Sequence, residues 1–235
     1  LKKIGTDAFY SCISLESADL PDGVEEIENR AFAGARYMTS ARIPQSVHSM
    51  GESVFSGCRS LERMDIPGSI KTVPADTLFA CAALKELSIG SGIQTIGRRA
   101  FGGCTALESV RIPDGVTELD AMAFMGDGEL VSAYISESVK IIGAEAFARC
   151  GKLREISLPG GIEDIGAAAF SGCAALAEKD GFVMIGDVCC GYIGDGSSIT
   201  VPDKASAIAP GAFRENKRIL FLTCLLYTSP SPRDS

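Results

Sequence analysis

The stretch IGRRAFGGCTALESVRIP, residues 96–113, decides the fold, because most of the chain consists of copies of it. Its phenylalanine recurs every 23 residues, and Leu78 fills the one vacancy in the series. The members of the series are Phe9, Phe32, Phe55, Phe101, Phe124, Phe147 and Phe170. The register runs without an insertion from Ile4 to Leu176. Such strict self-similarity at this period predicts a solenoid of stacked coils, one coil for each copy.

Each copy contains a short segment in which apolar and polar residues alternate. Val110 and Ile112 alternate with Ser109 and Arg111, which is the period of a half-buried strand. Pro113 ends this strand, because proline has no N–H to donate to a neighbouring strand. The Ala-Phe pair of each copy is bracketed by glycines, which weaken helices. It therefore predicts a single short helical or 3-10 turn.

Two motifs carry a resemblance to a known family. They are I-G-x-x-A-F-x-x-C-x-x-L, over Ile96–Leu107, and L-x-x-V-x-I-P-D-G-V-x-x-L, over Leu107–Leu119. Together they resemble the leucine-rich repeat of the BspA-like variety, which is found in bacterial surface proteins. The resemblance covers residues 1 to about 222. It implies an α/β solenoid, namely a right-handed coil with one parallel β-sheet and short helical/3-10 turns on its convex side.

The domain organisation predicted from the repeats is one solenoid over residues 1–223, with about nine coils, the first of them partial. The period breaks once, since Phe170 and Phe213 lie 43 residues apart, 20 more than one period. The inserted residues, about 177–198, contain two apolar runs separated by Gly-Asp turns. This pattern predicts one inserted β-hairpin.

The two ends of the sequence depart from the repeat. Leu1 already occupies a mid-coil slot, so we expect the chain to be a fragment of a longer protein. Residues 224–235 abandon every slot and resemble the translated read-through of a sequencing adapter. We therefore expect a non-native tail there, and a genuine Ser/Pro-rich tail is the alternative.

The cysteines follow the same period as the phenylalanines. One slot holds Cys12, Cys58, Cys81, Cys104, Cys150 and Cys173. Equivalent places on successive coils predict buried free thiols, with disulfides or a metal site as alternatives. The chain has no C-x-x-C pair, which counts against zinc.

Two further polar or reactive positions carry expectations of their own. Asp127 occupies the cysteine slot of its coil and would be costly if buried unpaired, so we expect its turn to lie toward solvent. In the inserted hairpin, Cys189 and Cys190 are adjacent and should face opposite sides. We expect one of these thiols to be packed and the other exposed.

Composition and charge exclude several classes of function. The net charge of −8 argues against nucleic acid as the main partner. No uninterrupted apolar stretch reaches the roughly 18 residues of a membrane span. His48 is the single histidine, and nothing in the repeat supplies a third group to orient it as a base. We therefore expect no enzyme, no cofactor and no metal, and we interpret acidic pairs such as Glu25-Glu26 as a solvated surface.

The remaining candidate is the outward side of the predicted strands. One outward row is Asp19, Arg42, Asp65, Ser88, Arg111, Tyr134, Ser157 and Thr200, and a second is Ser17, Ser40, Arg63, Glu86, Ser109, Ser132 and Glu155. We predict that Arg42, Arg63, Asp65, Arg111 and Tyr134 contact a partner protein, because Arg and Tyr are enriched in binding hot spots. The alternative is structural: Asp19–Arg42–Asp65 and Arg63–Glu86 would be cross-strand ion pairs.

The resemblance implies a protein-binding or adhesion module of a bacterial surface or secreted protein, located outside the cell or at its surface. The expected partner is a protein, with extracellular matrix and host surface proteins as candidates. A structural spacer that carries another domain is the second hypothesis. A repeat region within a larger enzyme is a third and weaker one.

Overall fold

The computed structural model describes residues 1–214 and 216–224. It is a solenoid of about ten turns of parallel strands with almost no helix. Most turns contribute one long and one short strand, numbered here in chain order. The long strands are β2 (Ser17–Asp19), β4 (Ser40–Arg42), β6 (Arg63–Ile66), β8 (Glu86–Ile89), β10 (Ser109–Ile112), β12 (Ser132–Ile135) and β14 (Glu155–Ser157). The short strands are β1 (Lys3–Ile4), β3 (Glu26–Ile27), β5 (Ser49–Met50), β7 (Thr72–Val73), β9 (Thr95–Ile96), β11 (Glu118–Leu119), β13 (Ile141–Ile142) and β15 (Asp164–Ile165).

Successive coils pair in parallel and in exact register with the sequence repeat. In β10 and β12, for example, Val110 lies opposite Ala133 and Arg111 opposite Tyr134. The single parallel sheet expected from the resemblance is instead two rows of strands, and each row is interrupted once. The long row is broken between β8 and β10, and the short row between β5 and β7.

The expected helical turns, and with them the α/β class, are wrong. The one helix among the described residues is the 3-10 turn Ala174–Leu176, which lies outside the Ala-Phe segments. In those segments the backbone N–H of Phe101 donates to the carbonyl of Ala123 in the next coil, at 2.9 Å. Arg99, two residues earlier, has a left-handed φ of 52°. A helix cannot continue through a left-handed residue. The amides here alternate instead between the next coil, as for Phe101, and isolated turns along the chain, as for Gly102 to the carbonyl of Arg99.

The core is a column of side chains that runs along the solenoid. Phe32, Phe55, Phe101, Phe124 and Phe147 are almost completely buried. The rings of adjacent coils lie 5.0 to 5.6 Å apart between centroids, and most are stacked. Leu78 is fully buried in the vacancy, as its slot predicts. The column therefore continues through this coil as aliphatic packing, without an aromatic contact.

Five of the six cysteines in the column beside it are buried as predicted. Cys58, Cys81, Cys104, Cys150 and Cys173 are free thiols with no exposed surface, whereas Cys12 is exposed. Each buried Sγ donates to a phenylalanine or leucine carbonyl of the preceding coil, as Cys58 does to Phe32 at 3.3 Å.

Asp127 is also buried, so the expectation that it lies toward solvent is wrong. Its Oδ1 accepts a hydrogen bond from the backbone N–H of Cys104 at 2.8 Å, which fixes the side chain inside the column. Its Oδ2 has no hydrogen-bond partner among the described residues. Burial raises the pKa of this carboxyl well above its ordinary value. In this coil the repeat geometry thus holds the slot inside, although an aspartate occupies it.

The inserted segment forms an antiparallel hairpin. Strand β16 (Phe182–Ile185) pairs with β17 (Val188–Tyr192), with a bulge between Val183 and Met184. The remaining strands, β18 (Ser198–Val201), β19 (Ala207–Ile208) and β20 (Phe221–Cys224), return to parallel pairing: β17 pairs with β19 and β18 with β20.

The hairpin separates two apolar clusters. Cys190 packs into the main column and Cys189 into a second cluster with Phe182, Met184 and Ile199. The two thiols face opposite sides as expected. Neither is exposed, however, because each side of the hairpin is covered by core. Of the predicted tail, Cys224 pairs with Val201, and residues 225–235 lie outside the described residues.

Replacing Phe124 by Ala should lower the free energy of unfolding by about 3–5 kcal/mol, because it empties a fully buried ring site between the rings of Phe101 and Phe147. Phe79 is the control. It lies outside the column, half-buried beneath the Arg99 guanidinium, so Phe79→Ala should cost clearly less. Urea denaturation followed by circular dichroism compares the two variants, and an equal or larger loss in Phe79→Ala would contradict the column.

The raised pKa of Asp127 gives stability a pH dependence. The unfolded chain ionises at its ordinary pKa of about 3.9, before the folded one does. The free energy of unfolding should therefore fall as pH rises from about 4 toward the folded pKa. Asp127→Cys, which restores the residue of the neighbouring coils, should remove this fall and gain about 1–3 kcal/mol at neutral pH.

The control for this substitution is Asp114→Asn, at an exposed position of the preceding coil. Urea midpoints measured from pH 4 to pH 8 should keep the wild-type slope in this control. An identical slope in wild type and Asp127→Cys would contradict the assignment.

Candidate functional site

The strand face is defined here as the outward side chains of strands β2, β4, β6, β8, β10, β12 and β14, whose pairing is interrupted between β8 and β10. In β10, Val110 and Ile112 are buried, whereas Ser109 and Arg111 are exposed. Strand β6 shows the same alternation. All five residues predicted to contact a partner, Arg42, Arg63, Asp65, Arg111 and Tyr134, are exposed on this face.

Ion pairs dominate the N-terminal half of the strand face. A guanidinium nitrogen of Arg42 lies 2.7 Å from Asp22 Oδ1 and another lies 3.4 Å from Asp19. The Asp22 carboxylate raises the pKa of this guanidinium. Arg63 lies 3.1 Å from Glu86 and 3.5 Å from Asp65. Of the three cross-strand ion pairs that the structural alternative predicts, Asp19–Arg42 and Arg63–Glu86 are present. Arg42 contacts Asp22 in place of Asp65.

These ion pairs are weak stabilisers. Every participating side chain is more than half exposed. Exposed pairs of this kind contribute about 0–1 kcal/mol, because water screens them and holding two long side chains costs entropy. Their main effect here is to occupy Arg42 and Arg63 within the molecule.

The C-terminal half of the strand face carries a different arrangement. The Arg111 guanidinium lies over the ring of Tyr134, 3.9 Å from its centroid. The two residues are register partners on adjacent strands, and Tyr134 keeps 47% of its surface exposed. On the far side, the register partner of Tyr134 is Ser157. The Arg111–Tyr134 stack therefore has a short hydroxyl side chain beside it and combines a cation with an accessible aromatic ring.

The described residues offer little for nucleophilic or metal chemistry. His48 is exposed, and its Nδ1 lies 3.2 Å from the carbonyl oxygen of Ser46, with no carboxylate bound to the ring. Burial raises the pKa of Cys58 and Cys173 to about 12, which keeps these thiols protonated. Over residues 1–214 and 216–224, no group of three or more His, Cys, Asp or Glu side chains is placed to hold a metal ion.

A second surface feature was not predicted from the sequence. On the side of the short strands, a cleft of about 820 Å³ opens where β5 and β7 fail to pair. We call it the β5–β7 cleft, and its walls include His48, Met50, Lys71, Thr72 and Arg98. The sequence feature that could have predicted this cleft is Pro74, which occupies a repeat position that is glycine in several other coils.

Comparison with known families agrees with this architecture. The family described as the BspA type leucine-rich repeat region matches residues 2–131 and 75–181, in six copies. The chain belongs to the BspA-type leucine-rich repeat family. Leucine-rich repeats generally mediate protein interactions, and the family and fold are typically non-enzymatic.

Solved structures of bacterial leucine-rich repeat proteins share the fold of this BspA-type chain. One from Bacteroides ovatus has 26% sequence identity and a TM-score of 0.72, over 89% of this chain and 60% of that protein. The leucine-rich repeat protein of T. pallidum has 27% identity and a TM-score of 0.56, over 76% of this chain and 72% of that one. One from Eubacterium ventriosum has 26% identity and a TM-score of 0.61, over 67% of this chain and 42% of that protein.

The chain thus spans only 60% of the length of the Bacteroides ovatus protein. No curated protein sequence matches it. Within residues 1–214 and 216–224, no helix has the length and apolar character needed to cross a bilayer.

The burial of the thiols leads to a direct labelling prediction. In the native protein a maleimide should modify Cys12 and Cys224, which are exposed. The other seven thiols should react only after denaturation, because they are buried and the pKa of each core thiol is raised. Mass spectrometry of tryptic peptides before and after urea provides the measurement. Modification of Cys58 or Cys104 in the native protein would contradict the buried column.

Proposed function

We propose that this chain is a protein-binding module of a bacterial surface or secreted protein, which presents its strand face to a partner. The observation that carries the proposal is the Arg111–Tyr134 stack, an exposed arginine and tyrosine in contact on adjacent strands. Arg and Tyr are among the residues that contribute most to binding energy at protein interfaces. A ring already positioned by its neighbour also loses little conformational entropy when a partner binds.

The shape of the strand face supports a protein partner over a small ligand. Parallel strands lie about 4.8 Å apart, so the seven long strands present a surface roughly 30 Å long. Protein interfaces need about 800 Å² from each partner, and an extended flat surface of this length suits that requirement. The proposed role is adhesion at the cell surface or outside the cell. Extracellular-matrix and host surface proteins are the candidate partners.

The second candidate is a structural spacer that holds another domain away from the cell. The ion pairs of Arg42 and Arg63 favour it, because they satisfy these side chains within the molecule. In that case the strand face as a whole would be a solvated surface, and Arg111–Tyr134 one more cross-strand pair.

Substitutions at the stack separate the two candidates. Arg111→Glu and Tyr134→Ala should each weaken capture by an immobilised panel of purified extracellular-matrix and host surface proteins by at least about tenfold, which corresponds to about 1.4 kcal/mol. Neither should lower the melting temperature appreciably, because both side chains are exposed.

Arg149→Glu is the control, since Arg149 is also exposed and lies outside the strand face. It makes the same change of charge and should capture as wild type does. Capture that is unchanged in both strand-face variants, or absent from wild type across the panel, would contradict the binding proposal and leave the spacer.

A further inference from the structure

At the β5–β7 cleft the short row lacks one hydrogen-bond donor. Along the short row, the residue after each strand donates its backbone N–H to the preceding coil. Gly97 donates to Val73 at 2.8 Å, and Gly143 donates to Leu119 at 2.7 Å. The equivalent donor to the carbonyl of Met50 would be residue 74, which is proline and has no N–H. The row of backbone hydrogen bonds between the short strands is therefore interrupted at this coil.

The break leaves backbone groups of both strands without a partner in the described part of the chain. In other coils the residues equivalent to Lys71 and Thr72 donate to the preceding coil, as Gln94 does to the carbonyl of Lys71 at 2.8 Å. Lys71 and Thr72 themselves make no such bond, and the carbonyls of His48 and Met50 accept none. The cleft thus combines free donors at Lys71 and Thr72 with free acceptors at His48 and Met50.

The coils are not pulled apart on either side of this opening. Ser69 Oγ donates to the carbonyl of Val47 before it, and the N–H of Ser53 donates to the carbonyl of Ala75, at 2.9 Å, after it. The opening therefore lies between two points at which the same two coils stay hydrogen-bonded. It is also lined by Lys71 and Arg98, which have no ion pair among the described residues.

These features restrict the chemistry of an occupant. An anion would satisfy only the N–H donors, and a cation only the carbonyl acceptors. A polypeptide main chain carries both kinds of group in alternation, as a strand that joins a sheet does. We propose that the β5–β7 cleft binds an extended peptide segment of a partner protein through main-chain hydrogen bonds, with one acidic side chain of the peptide at Lys71 and Arg98.

The charge of the whole chain does not oppose this ligand. The net charge is −8, but charges beyond about 8 Å are screened at physiological ionic strength. Of the two carboxylates in the cleft wall, Asp120 accepts a hydrogen bond from the N–H of Ala121 at 2.6 Å. The other, Glu52, belongs to the coil of β5, on the opposite side of the break from Lys71 and Arg98. The basic pair is therefore the group that an acidic side chain of the peptide would meet.

The test uses synthetic peptides and the whole chain. The probe is a fluorescein-labelled, end-capped peptide, Thr-Val-Thr-Asp-Thr-Val-Thr, measured by fluorescence anisotropy. One comparison peptide has asparagine in place of aspartate, and another has alternate main-chain nitrogens methylated. We expect wild type to bind the aspartate peptide below about 1 mM, and both comparison peptides at least about tenfold more weakly. Binding should also slow amide hydrogen exchange at Lys71 and Thr72.

Two proline variants make the decisive comparison. Pro74→Gly supplies the missing N–H, and glycine is already the native residue in this slot at Gly51, Gly97 and Gly143. It should close the ladder and weaken peptide binding at least about tenfold. Pro113→Gly is the matched control, because Gly90 occupies the equivalent slot of the preceding coil, and Pro113 lies outside the cleft. It should bind the peptide as wild type does.

A third variant keeps the test informative if Pro74→Gly folds poorly. Arg98→Ala should reduce binding of the aspartate peptide to the level of the asparagine peptide. The proposal is overturned if wild type fails to bind the probe at about 1 mM, or if methylation has no effect on affinity. It is overturned equally if a folded Pro74→Gly binds as wild type does. Arg111→Glu should leave binding of the peptide to the cleft unchanged. A failure of the cleft proposal can therefore be distinguished from a failure of the strand-face proposal.

Discussion

The backbone hydrogen bond from one coil to the next is the interaction on which the rest of this structure depends. In the Ala-Phe segments, the N–H of Phe101 donates to Ala123 and that of Phe124 to Ala146. Along the short strands the direction is reversed, since the N–H of Gly97 donates to Val73 of the preceding coil. Each such bond contributes only about 0.5–1.5 kcal/mol net, but an unpaired buried N–H would cost more. A coil therefore needs its neighbours to satisfy its backbone as well as to bury its side chains.

Because each coil depends on its neighbours for backbone hydrogen bonds, one residue without an N–H can leave backbone groups unpaired at the surface. The interruptions of the structure concentrate around one coil. Pro74 breaks the short row, Leu78 interrupts the stacked rings, and the long row is broken just after β8. The buried column nevertheless continues through Leu78, because side-chain packing tolerates a leucine where a backbone ladder does not tolerate a proline. The solenoid thus keeps its core and exposes backbone groups at one point.

The features that were predictable from the sequence are those that recur in every copy. The spacing of Phe32, Phe55 and Phe101 predicts the spine, and the alternation around Val110 predicts which side chains face outward. The helical turns were wrongly predicted because local propensity ignores the bonds that Phe101 makes to another coil. Asp127 was misplaced for a related reason: its slot is held inside by its neighbours, and the cost of burial is met by a raised pKa.

The two surfaces differ in how far the sequence could reveal them. The strand face follows from periodicity alone, although the pairing of Arg42 with Asp22 instead of Asp65 required the coordinates. The β5–β7 cleft depends on one substitution within a repeat, and its effect appears only when the hydrogen bonds of all coils are compared.

Hydrogen exchange at single amides tests the central claim most directly. The N–H groups of Phe101, Phe124 and Phe147 bond only to the next coil, at 2.8 to 2.9 Å. NMR on the labelled chain should find them among the slowest-exchanging amides, because their release requires separation of two coils. Exchange of these three amides at the rate of an unstructured peptide would contradict a fold held together from coil to coil.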